Sequence, residues 1–489
     1  MTLEEFLLFE KENSCEELHI DDFYYWWYIR DKLILQCVWS ERDKKKDAEK
    51  TKRKPSMKNR VVSLFRFISV GLKYSPFRKG EKNSLFILQD ATVYNPEGGY
   101  YECPPTQTVV KNWEGKKTLI SDYYTNYIGN AFPVQFSETT FSVWPILSRR
   151  LRSGLWWICG KDKRKKTRIA ESAVPILKLF EKQYHCPLNM DEYVEWIYQQ
   201  YVYWKAHYGY YERLILHLRP IGVVEQCWYS TWKMVFHEVA KKCKVPVIEL
   251  QHGVPNLVYN SYIMKPRAFP DYVLLFSDFW KKYTNIPLPE GRILSVGYPY
   301  LEEQMLKGKK RKEGKKDKSR LLLVIGGLDS GDQELRKYLY EVCAYIKEKK
   351  IADYKIIYKM HPRFMNSYEE LCDMFEEHKD ILRVLKWNEK NLYDCFAIAD
   401  EQISVSSMGI YEGIAYGLKT WVYQSEEHKY DALEDLCNEG YASFVNRPEQ
   451  LFEREKDEEK SVAVGLWVEH SKERMMETIH QILRSEGRL

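Results

Sequence analysis

The sequence predicts an α/β protein with two doubly wound domains that face each other across a cleft, preceded by a helical N-terminal extension. Two observations predict this fold: strand-like and helix-like segments alternate in two separate stretches of the chain, and a polar, basic segment lies between them. The chain has 489 residues, of which 44% are hydrophobic and 30% charged, so it is long enough for each domain to have its own core. The formal net charge of +5 is mild, and local clusters of charge are therefore more informative than the total.

We assign residues 1–80 to a helical and basic extension. Apolar residues recur near helical spacing in residues 1–40, and the lysine-rich stretch after them has too few apolar residues to pack a core. The segment 61–79 is apolar with interspersed cations, and such a segment is more often a helix packed on its own domain than one on an anionic membrane surface. The acidic first residues lack the basic start of a signal peptide, and no apolar run is long enough to span a membrane. We therefore expect a cytoplasmic protein, and peripheral contact with the inner face of the cell membrane stays open.

Residues 81–306 are assigned to the first α/β domain. The pattern predicts a strand at 219–226, an amphipathic helix at 231–244 and another strand at 245–253, and this order implies a parallel sheet. Further strands are predicted at 84–90, 271–280 and 291–299.

A second domain is predicted at 321–450, after the basic segment 307–320. That segment favours a solvated linker over a nucleic-acid patch, because no aromatic residues interleave with its lysines. Strands and helices then alternate from "RLLLVIGG" to "KTWVYQ", which predicts another parallel sheet, and residues 451–489 are predicted to form a helical tail. Sheets of this kind bind ligands beyond the carboxyl ends of their strands.

The 11 cysteines are odd in number and scattered, with no Cys-X-X-Cys pair and no Cys/His cluster at zinc spacing. This pattern predicts reduced, buried thiols in a cytoplasmic protein and no metal site. Aromatic residues make up 15% of the chain, and although such rings often line sugar sites, we expect most of them in the core.

Strand ends of the second domain supply candidates for an anion site. "IIYKMHPRF" places Lys359, His361 and Arg363 at the carboxyl end of a predicted strand, where they could neutralise a diphosphate by charge-assisted hydrogen bonds. Alone, this cluster predicts an exposed basic strand end equally well. Gly326 and Gly327 follow another strand and let the backbone approach a ligand closely, although they form neither a Walker loop nor a Gly-X-Gly-X-X-Gly motif.

The stretch "ISVSSMGIYEGIAYG" predicts a strand followed by a helix, with Ser406 and Ser407 where the helix begins. Hydroxyls and free backbone N–H groups at a helix start form an anion site, and Glu412, farther along the helix, could accept ribose hydroxyls. The alternative is a pair of helix-capping serines with a solvated Glu412.

Two residues of the first domain are candidates for a general base. His252 follows a predicted strand and would face the basic cluster across the cleft, although a lone histidine is more often a structural residue. Asp90 ends the predicted strand "SLFILQD" and is the second candidate.

In their order along the chain, these motifs resemble those of the GT-B glycosyltransferases, nucleotide-sugar enzymes with two facing Rossmann-like domains. The resemblance rests on "VPVIELQHG", "DYVLLFSDFWKK", "ILSVGYPYLE", "IIYKMHPRF" and "SVSSMGIYEGIAYG", within residues 215–425. The His-Pro and Ser-Ser elements are similar to those of bacterial sialyl-, polysialyl- and Kdo-transferases. They also look like those of the polyol-phosphate transferases that build teichoic acids.

The resemblance implies roles for several residues. His361 would hold the nucleotide phosphate, with Ser406 and Ser407 beside it, and Glu412 matches the glutamate that binds the donor ribose. No Asp-X-Asp metal motif ends a predicted strand, which agrees with a metal-independent enzyme of this fold. We therefore expect no cofactor, only a nucleotide-sugar co-substrate.

The implied function is transfer of a sugar from a nucleotide-sugar donor to a glycan or lipid-linked glycan, in the synthesis of capsule, lipopolysaccharide or a related polymer. His361 and the two serines would stabilise the leaving nucleotide, while His252 or Asp90 takes the proton of the acceptor hydroxyl. Two alternatives stay open: a polyol-phosphate transferase of the CDP-glycerol type, and a non-catalytic scaffold that binds glycans. A nucleic-acid partner is not expected.

Overall fold

A computed structural model confirms the predicted α/β architecture, with two parallel sheets that each have helices on their faces and a helical segment before the first sheet. The structure describes residues 3–37, 68–90, 93–95, 98–121, 136, 138–253, 266–284, 286–312, 319–327, 331–361, 367–386, 388–405, 407–424, 433–453 and 465–489.

The helices among these residues have the following bounds. They are α1 (Leu3–Glu12), α2 (Trp26–Cys37), α3 (Pro76–Lys79), α4 (Pro104–Asn112), α5 (Trp144–Ile158), α6 (Lys161–Tyr184), α7 (Met190–Leu218), α8 (Thr231–Lys242), α9 (Asp278–Lys282), α10 (Pro299–Lys312), α11 (Gly331–Lys349), α12 (Tyr368–Met374), α13 (Leu392–Phe396), α14 (Gly409–Ala415), α15 (Glu434–Asn438) and α16 (Ser471–Ser485). Residues 68–73 are helical as well.

The strands have the following bounds. They are β1 (His19–Ile20), β2 (Phe23–Tyr24), β3 (Leu85–Gln89), β4 (Val93–Asn95), β5 (Tyr100–Glu102), β6 (Lys117–Ser121), β7 (Thr140–Phe141), β8 (Gly222–Glu225), β9 (Val247–Leu250), β10 (Tyr272–Leu275), β11 (Ile293–Ser295), β12 (Arg320–Ile325), β13 (Tyr354–Lys359), β14 (Leu382–Leu385), β15 (Glu401–Ser404), β16 (Lys419–Tyr423) and β17 (Ser443–Val445).

The first sheet has the parallel strand order β11-β10-β9-β8-β3-β6-β7. Its central strands are apolar on both faces, since successive side chains of a strand point to opposite sides. Val223 of β8 packs in the cluster formed with α7 and α8, whereas Val224 packs in the cluster formed with α4 and α16. Helices thus cover both faces of the sheet.

The second sheet has the order β14-β13-β12-β15-β16-β17 and is parallel as well. Leu322 and Val324 of β12 pack with α11, while Leu323 and Ile325 pack on the other face with α13. Because all strands run in the same direction, their carboxyl ends form one edge.

The segment predicted as a linker begins inside a helix. Helix α10 extends to Lys312 and contacts both domains, and residues 313–318 lie outside the described residues. Tyr300 near its start donates a hydrogen bond to Glu102 of the first domain at 2.6 Å. At Gly308 a Cβ atom would lie 2.8 Å from the Tyr416 ring of the second domain, so a glycine permits the close packing there.

The closing helix α16 returns to the first domain. Ile479 and Leu483 are fully buried in the cluster that contains Leu85 of β3. Glu302 of α10 accepts the backbone N–H of Ser471, at the start of α16, at 3.0 Å. The tail therefore contributes to the core of the first domain and is fixed to the helix that joins the two domains.

The N-terminal segment packs on the long helices of the first domain. Phe6 and Phe9 of α1 stand edge-on to Phe180 of α6, and the buried pair of Arg30 and Glu10, at 2.7 Å, ties α2 to α1. Residues 61–67 of the segment 61–79 lie outside the described residues.

The prediction that all cysteines are reduced is wrong for Cys37 and Cys186, which form a disulfide. Cys37 ends α2, and Cys186 lies in the connection between α6 and α7, where the packing of these helices brings the two Cα atoms to 5.9 Å. The other nine cysteines are free thiols. A separation of 149 residues hides this proximity from the sequence pattern.

Helices α5, α6 and α7 fill the chain between β7 and β8, for which the sequence predicted no elements. Within the described part of the chain, no helix is both long and apolar enough to cross a membrane.

Candidate active site

The carboxyl ends of β12 and β13 lie side by side in the second domain. The N–H of Gly326, which follows β12, donates to the backbone carbonyl of Lys359, the last residue of β13, at 3.1 Å. A Cβ atom on Gly326 would lie 3.1 Å from the same oxygen, so a larger residue would push the strand ends apart. The structure thus brings together two of the residues that the sequence placed at the donor side.

Lys359 is buried although it lies at this edge. Its side chain is 7% exposed, and its ammonium donates to the backbone carbonyl of Lys386 at 3.0 Å. Burial lowers the pKa of Lys359 to about 8, so the residue is still mostly cationic at neutral pH. His361 follows two residues later and is half-buried.

Gly327 is engaged by a buried polar network that the sequence did not reveal. Its N–H donates to Asp332 of α11 at 2.9 Å, and the Tyr358 hydroxyl donates to the same carboxylate oxygen at 2.7 Å. Arg336 forms an ion pair with Asp332 at 2.6 Å. This network ties Gly327, which follows β12, to the first turn of α11 and to Tyr358, the neighbour of Lys359.

After β15, Ser407 lies two residues before the first residue of α14. Its hydroxyl accepts the backbone N–H of that residue, Gly409, at 3.2 Å, while the N-cap position is occupied by Met408. Ser406 and Arg363 lie outside the described residues. Ser404, the last residue of β15, donates to the carbonyl of Ile325 at 2.8 Å and so ties β15 to the end of β12.

Glu412 is half-buried and has a hydrogen-bond partner. It is therefore not the solvated carboxylate that the alternative interpretation of the sequence described. The Tyr393 hydroxyl of α13 hydrogen-bonds to it, yet burial raises the pKa of Glu412 to about 7. Both its protonated and its charged form are therefore populated near neutral pH.

In the first domain, Asp90 is held by a lysine that the sequence did not single out. Lys233 of α8 is fully buried, and its ammonium contacts Asp90 at 2.6 Å and Glu225 of β8 at 3.4 Å. It also donates to the carbonyl of Gln226. Burial raises the pKa of Glu225 to about 7 despite the nearby cation.

His252 lies beyond β9 beside this buried charge cluster. Its Nε2 is 3.1 Å from the Tyr229 hydroxyl, and its Nδ1 is shielded from solvent with no hydrogen-bond partner among the residues described. Burial and, to a smaller extent, the Lys233 cation lower the pKa of His252 to about 4. The imidazole is therefore neutral at neutral pH and has a ring nitrogen available for a proton.

A layer of tyrosines joins the two domains at the cleft. Tyr298 hydrogen-bonds with Tyr393 of the second domain, and its buried hydroxyl experiences the negative charges of Glu412 and Glu102. The ring of Tyr300 lies 5.4 Å from that of Tyr393. Glu412 of the second domain thus contacts the first domain through Tyr393.

Cys103 lies between the tyrosine layer and the two candidates for the general base, Asp90 and His252. The buried thiol of Cys103 interacts electrostatically with Tyr298 and also with Lys233 and Asp90. The charges of Lys233 and Asp90 act in turn on His252. Asp90 and His252 thus lie near the same buried lysine of the first domain, while Glu412 lies in the second domain.

Sequence reasoning missed Lys233 and Tyr393. The buried face of α8 includes Lys233, His237 and Ala240, which recur at helical spacing. A lysine in such a position of an amphipathic helix could have been recognised from the sequence as a buried charge. Tyr393 offered none, because its role depends on a partner in another helix.

Across the described residues, no three His, Cys, Asp or Glu side chains come together in a way that would hold a metal ion. Metal independence stays a prediction.

No protein-family model matches the sequence, and no curated protein sequence does either. Among solved structures, the UDP-GlcNAc 2-epimerase from Methanocaldococcus jannaschii is 13% identical over 81% of this chain and 99% of its own, with a TM-score of 0.47. The wall teichoic acid polymerase TagF is 12% identical over 88% of this chain and 99% of its own, with a TM-score of 0.45. MnaA of S. aureus, solved with UDP, is 10% identical over 82% of this chain and 97% of its own, with a TM-score of 0.47.

Proposed function

We propose that the protein is a glycosyltransferase that moves a sugar from a nucleotide-sugar donor to a hydroxyl group of a glycan acceptor in the interdomain cleft. The observation that supports this most is the neutral His252 of the first domain, whose Nδ1 has no hydrogen-bond partner among the described residues, together with the buried Lys359 and Glu412 of the second domain. Transfer of a sugar between two bound substrates needs a base at the acceptor and groups that hold the donor. In this proposal the first domain supplies the base and the second supplies a carboxylate for the ribose.

On the donor side, the cationic Lys359 and the imidazole of His361 would face the phosphates of the nucleotide. A buried ammonium interacts strongly with a phosphate because little water screens the pair. Glu412 would accept hydroxyls of the ribose with the carboxylate oxygens that Tyr393 does not occupy. Ser407, which precedes α14, would add its backbone N–H.

On the acceptor side, His252 would act as the general base. The acceptor oxygen forms a bond to the anomeric carbon, the bond from that carbon to the phosphate oxygen breaks with its electrons leaving on the nucleotide, and the proton goes to His252. We prefer His252 to Asp90, because a proton on Asp90 would disrupt its ion pair with the buried Lys233.

We further propose that the enzyme acts in the synthesis of capsule, lipopolysaccharide or a related surface polymer and that it needs no metal. It would work in the cytoplasm, in peripheral contact with the membrane. A polyol-phosphate transferase would use the same phosphate site, and it differs in its product, whose new linkage retains phosphorus. Mass spectrometry of the product distinguishes the two reactions.

The test is nucleotide binding by calorimetry, with UDP, GDP, CMP, CDP and TDP compounds, on the wild type and on His361→Ala. We expect the best nucleotide to bind at least about tenfold more weakly to the variant, the effect of losing one charge-assisted hydrogen bond. The matched control is His217→Ala, which removes an exposed histidine of α7 and should leave binding unchanged. Equal affinity of wild type and His361→Ala for every nucleotide would overturn the donor-site assignment.

A further inference from the structure

The apolar and basic segment before α3 is packed on the first domain by one side only. Val70 is buried, and the indole N–H of Trp144 in α5 donates to the backbone carbonyl of Gly71 at 3.2 Å. The next two residues, Leu72 and Lys73, are exposed, and Leu72 has 57% of its surface in solvent. One side of this segment thus belongs to the domain, and the other side is open.

Three cations lie close to the exposed leucine. The ammonium groups of Lys73 and Lys79 lie 5.0 and 4.9 Å from the centre of the same ring, that of Tyr74. The guanidinium of Arg78 donates to the backbone carbonyl of Leu72 at 3.4 Å. All three cations are exposed, and none of them forms an ion pair with a carboxylate in the part of the chain that the structure describes. Their charges are therefore available to a partner.

The last turns of α7 extend this surface. The ring of Phe77 in α3 packs edge-on against Tyr210 of α7, with ring centroids 5.2 Å apart, so the segment and the end of α7 are in contact. Farther along α7, Arg213 and Leu216 are exposed, and Leu216 has 61% of its surface in solvent. We call the following residues the basic surface: Leu72, Lys73, Arg78, Lys79, Arg213 and Leu216.

The basic surface lies at the amino edge of the first sheet. The N–H of Asn83 donates to the carbonyl of Leu218, the last residue of α7, at 2.8 Å, and β3 begins two residues later at Leu85. Asp90 and His252 of the candidate active site instead follow the carboxyl ends of β3 and β9. A partner bound to the basic surface would therefore leave the active site open to its substrates.

Charge and hydrophobicity together narrow the class of partner. Residues 72–82 contain four cations and one carboxylate, that of Glu81, so an anionic partner is favoured. The two exposed leucines need an apolar layer beside the anions. A bilayer with anionic lipids offers both, with phosphates for the cations and acyl chains for the leucines. A nucleic-acid duplex offers phosphates at its surface but no apolar layer, so the leucines favour lipid.

We propose that the basic surface binds a bilayer that contains anionic phospholipid. This inference rests on the membrane contact proposed above and assigns that contact to particular residues. Strand β3 has five residues, and at about 3.3 Å per residue it separates the active site from the amino edge by about 17 Å. A lipid-linked acceptor would therefore reach the active site with the outer sugars of its chain, while its lipid stays in the bilayer.

The experiment is co-sedimentation of the full-length protein with vesicles of phosphatidylcholine, with and without about one third phosphatidylglycerol. We expect binding to the anionic vesicles, and the double variant Lys73→Gln/Lys79→Gln should bind them about 25-fold more weakly, because each cation near such a surface contributes about fivefold. Leu72→Ser/Leu216→Ser should bind about tenfold more weakly, because two leucines no longer leave water. The matched control is Lys337→Gln/Lys472→Gln, which removes two exposed lysines of α11 and α16 and should leave binding unchanged.

The proposal is overturned if the anionic vesicles are not bound, or if the lysine variant binds them as well as the wild type does. It is also overturned if a DNA duplex is bound more tightly than the vesicles and the leucine variant loses no affinity for either. Melting temperatures are recorded for each variant, and if the leucine variant is unfolded, the lysine variant decides the outcome. Vesicle binding needs no nucleotide, so a negative result leaves the donor-site proposal untouched, and a failed donor site would not change vesicle binding.

Discussion

At the scale of single residues, His252 shows how burial can fit a side chain for a chemical role. An exposed histidine is partly protonated near neutral pH, and its charged fraction is useless as a base. Burial and the nearby Lys233 hold the pKa of His252 at about 4, so the neutral form persists well into the acidic range. The Tyr229 hydroxyl lies 3.1 Å from Nε2, and Nδ1 has no hydrogen-bond partner among the described residues.

This gives a prediction for the pH dependence of transfer. At saturating donor, kcat should stay constant between about pH 5.5 and 7 and decline as the pH falls toward 4, since His252 loses its function as a base on protonation. Glu412 should affect the KM for the donor, because it titrates near pH 7 and touches the ribose in our proposal.

Substitution tests the same residue. His252→Gln should lower kcat by a factor of about 10² to 10⁴, the usual contribution of a general base, with donor affinity unchanged by calorimetry. His217→Gln is the exposed control. A wild-type profile whose acidic limb has its midpoint near 6.5, or a His252→Gln enzyme with full kcat, would contradict the assignment.

The sequence predicted those site residues whose position depends on neighbours in the chain, and it missed those whose role depends on residues far away in the chain. His252, Asp90 and Lys359 lie at the ends of strands, and strand ends can be located from local patterns. Lys233 and Tyr393 act through partners distant in the chain, and no local pattern reports such partners. The same limit applies to Gly327, whose N–H turned out to face Asp332.

At the scale of elements, helix α8 places a charge cluster under the carboxyl edge of the first sheet. Glu225 of β8 and Glu249 of β9 are paired in register and are both fully buried. Lys233 balances the charges of Glu225 and Asp90 without access to water. Removing one member of such a cluster leaves uncompensated buried charge.

We therefore predict that Lys233→Met lowers the free energy of unfolding by about 3–5 kcal/mol, as for a broken buried ion pair. The measurement is urea denaturation at pH 7. Lys242→Met is the matched control on the same helix: this lysine pairs with Glu212 at 2.7 Å at the surface, and its loss should change little. Similar stabilities for the two variants would show that the cluster is not held by Lys233.

The sequence predicted the strands that are marked by an apolar run between polar turns, and it missed elements that lack such a run or a regular spacing of apolar residues. The strands β12 to β16 and β8 to β11 are short apolar runs between polar turns, and they lie where they were expected. The strands β7 and β17 have two and three residues, too few for a periodic pattern. Helix α6 contains Pro175, a residue that argues against a continuous helix from sequence alone.

At the scale of the whole molecule, the two domains share one hydrophobic cluster. Trp280 of α9 is 1% exposed and lies 4.8 Å from the ring of Tyr411 in α14. Phe279 contacts Tyr411 and Tyr441 as well, and Lys282 forms an ion pair with Glu439. Domains that share a core are expected to unfold together.

The corresponding prediction concerns calorimetry. The wild type should unfold in one thermal transition. The variant Trp280→Ala loses about 3–5 kcal/mol of packing where the two domains meet, and its two domains should therefore unfold in two separate transitions. Trp228→Ala is the control, since Trp228 is buried within the first domain and leaves the junction intact. A single, merely lowered transition for Trp280→Ala would show that other contacts couple the domains.

The path of the chain has a mechanical consequence. The backbone passes from the first domain to the second through α10 and returns before α16, so two connections cross between the domains. Glu302 fastens these two connections to each other at Ser471. A single cleavage of the backbone in either connection would therefore leave the two domains joined through the other.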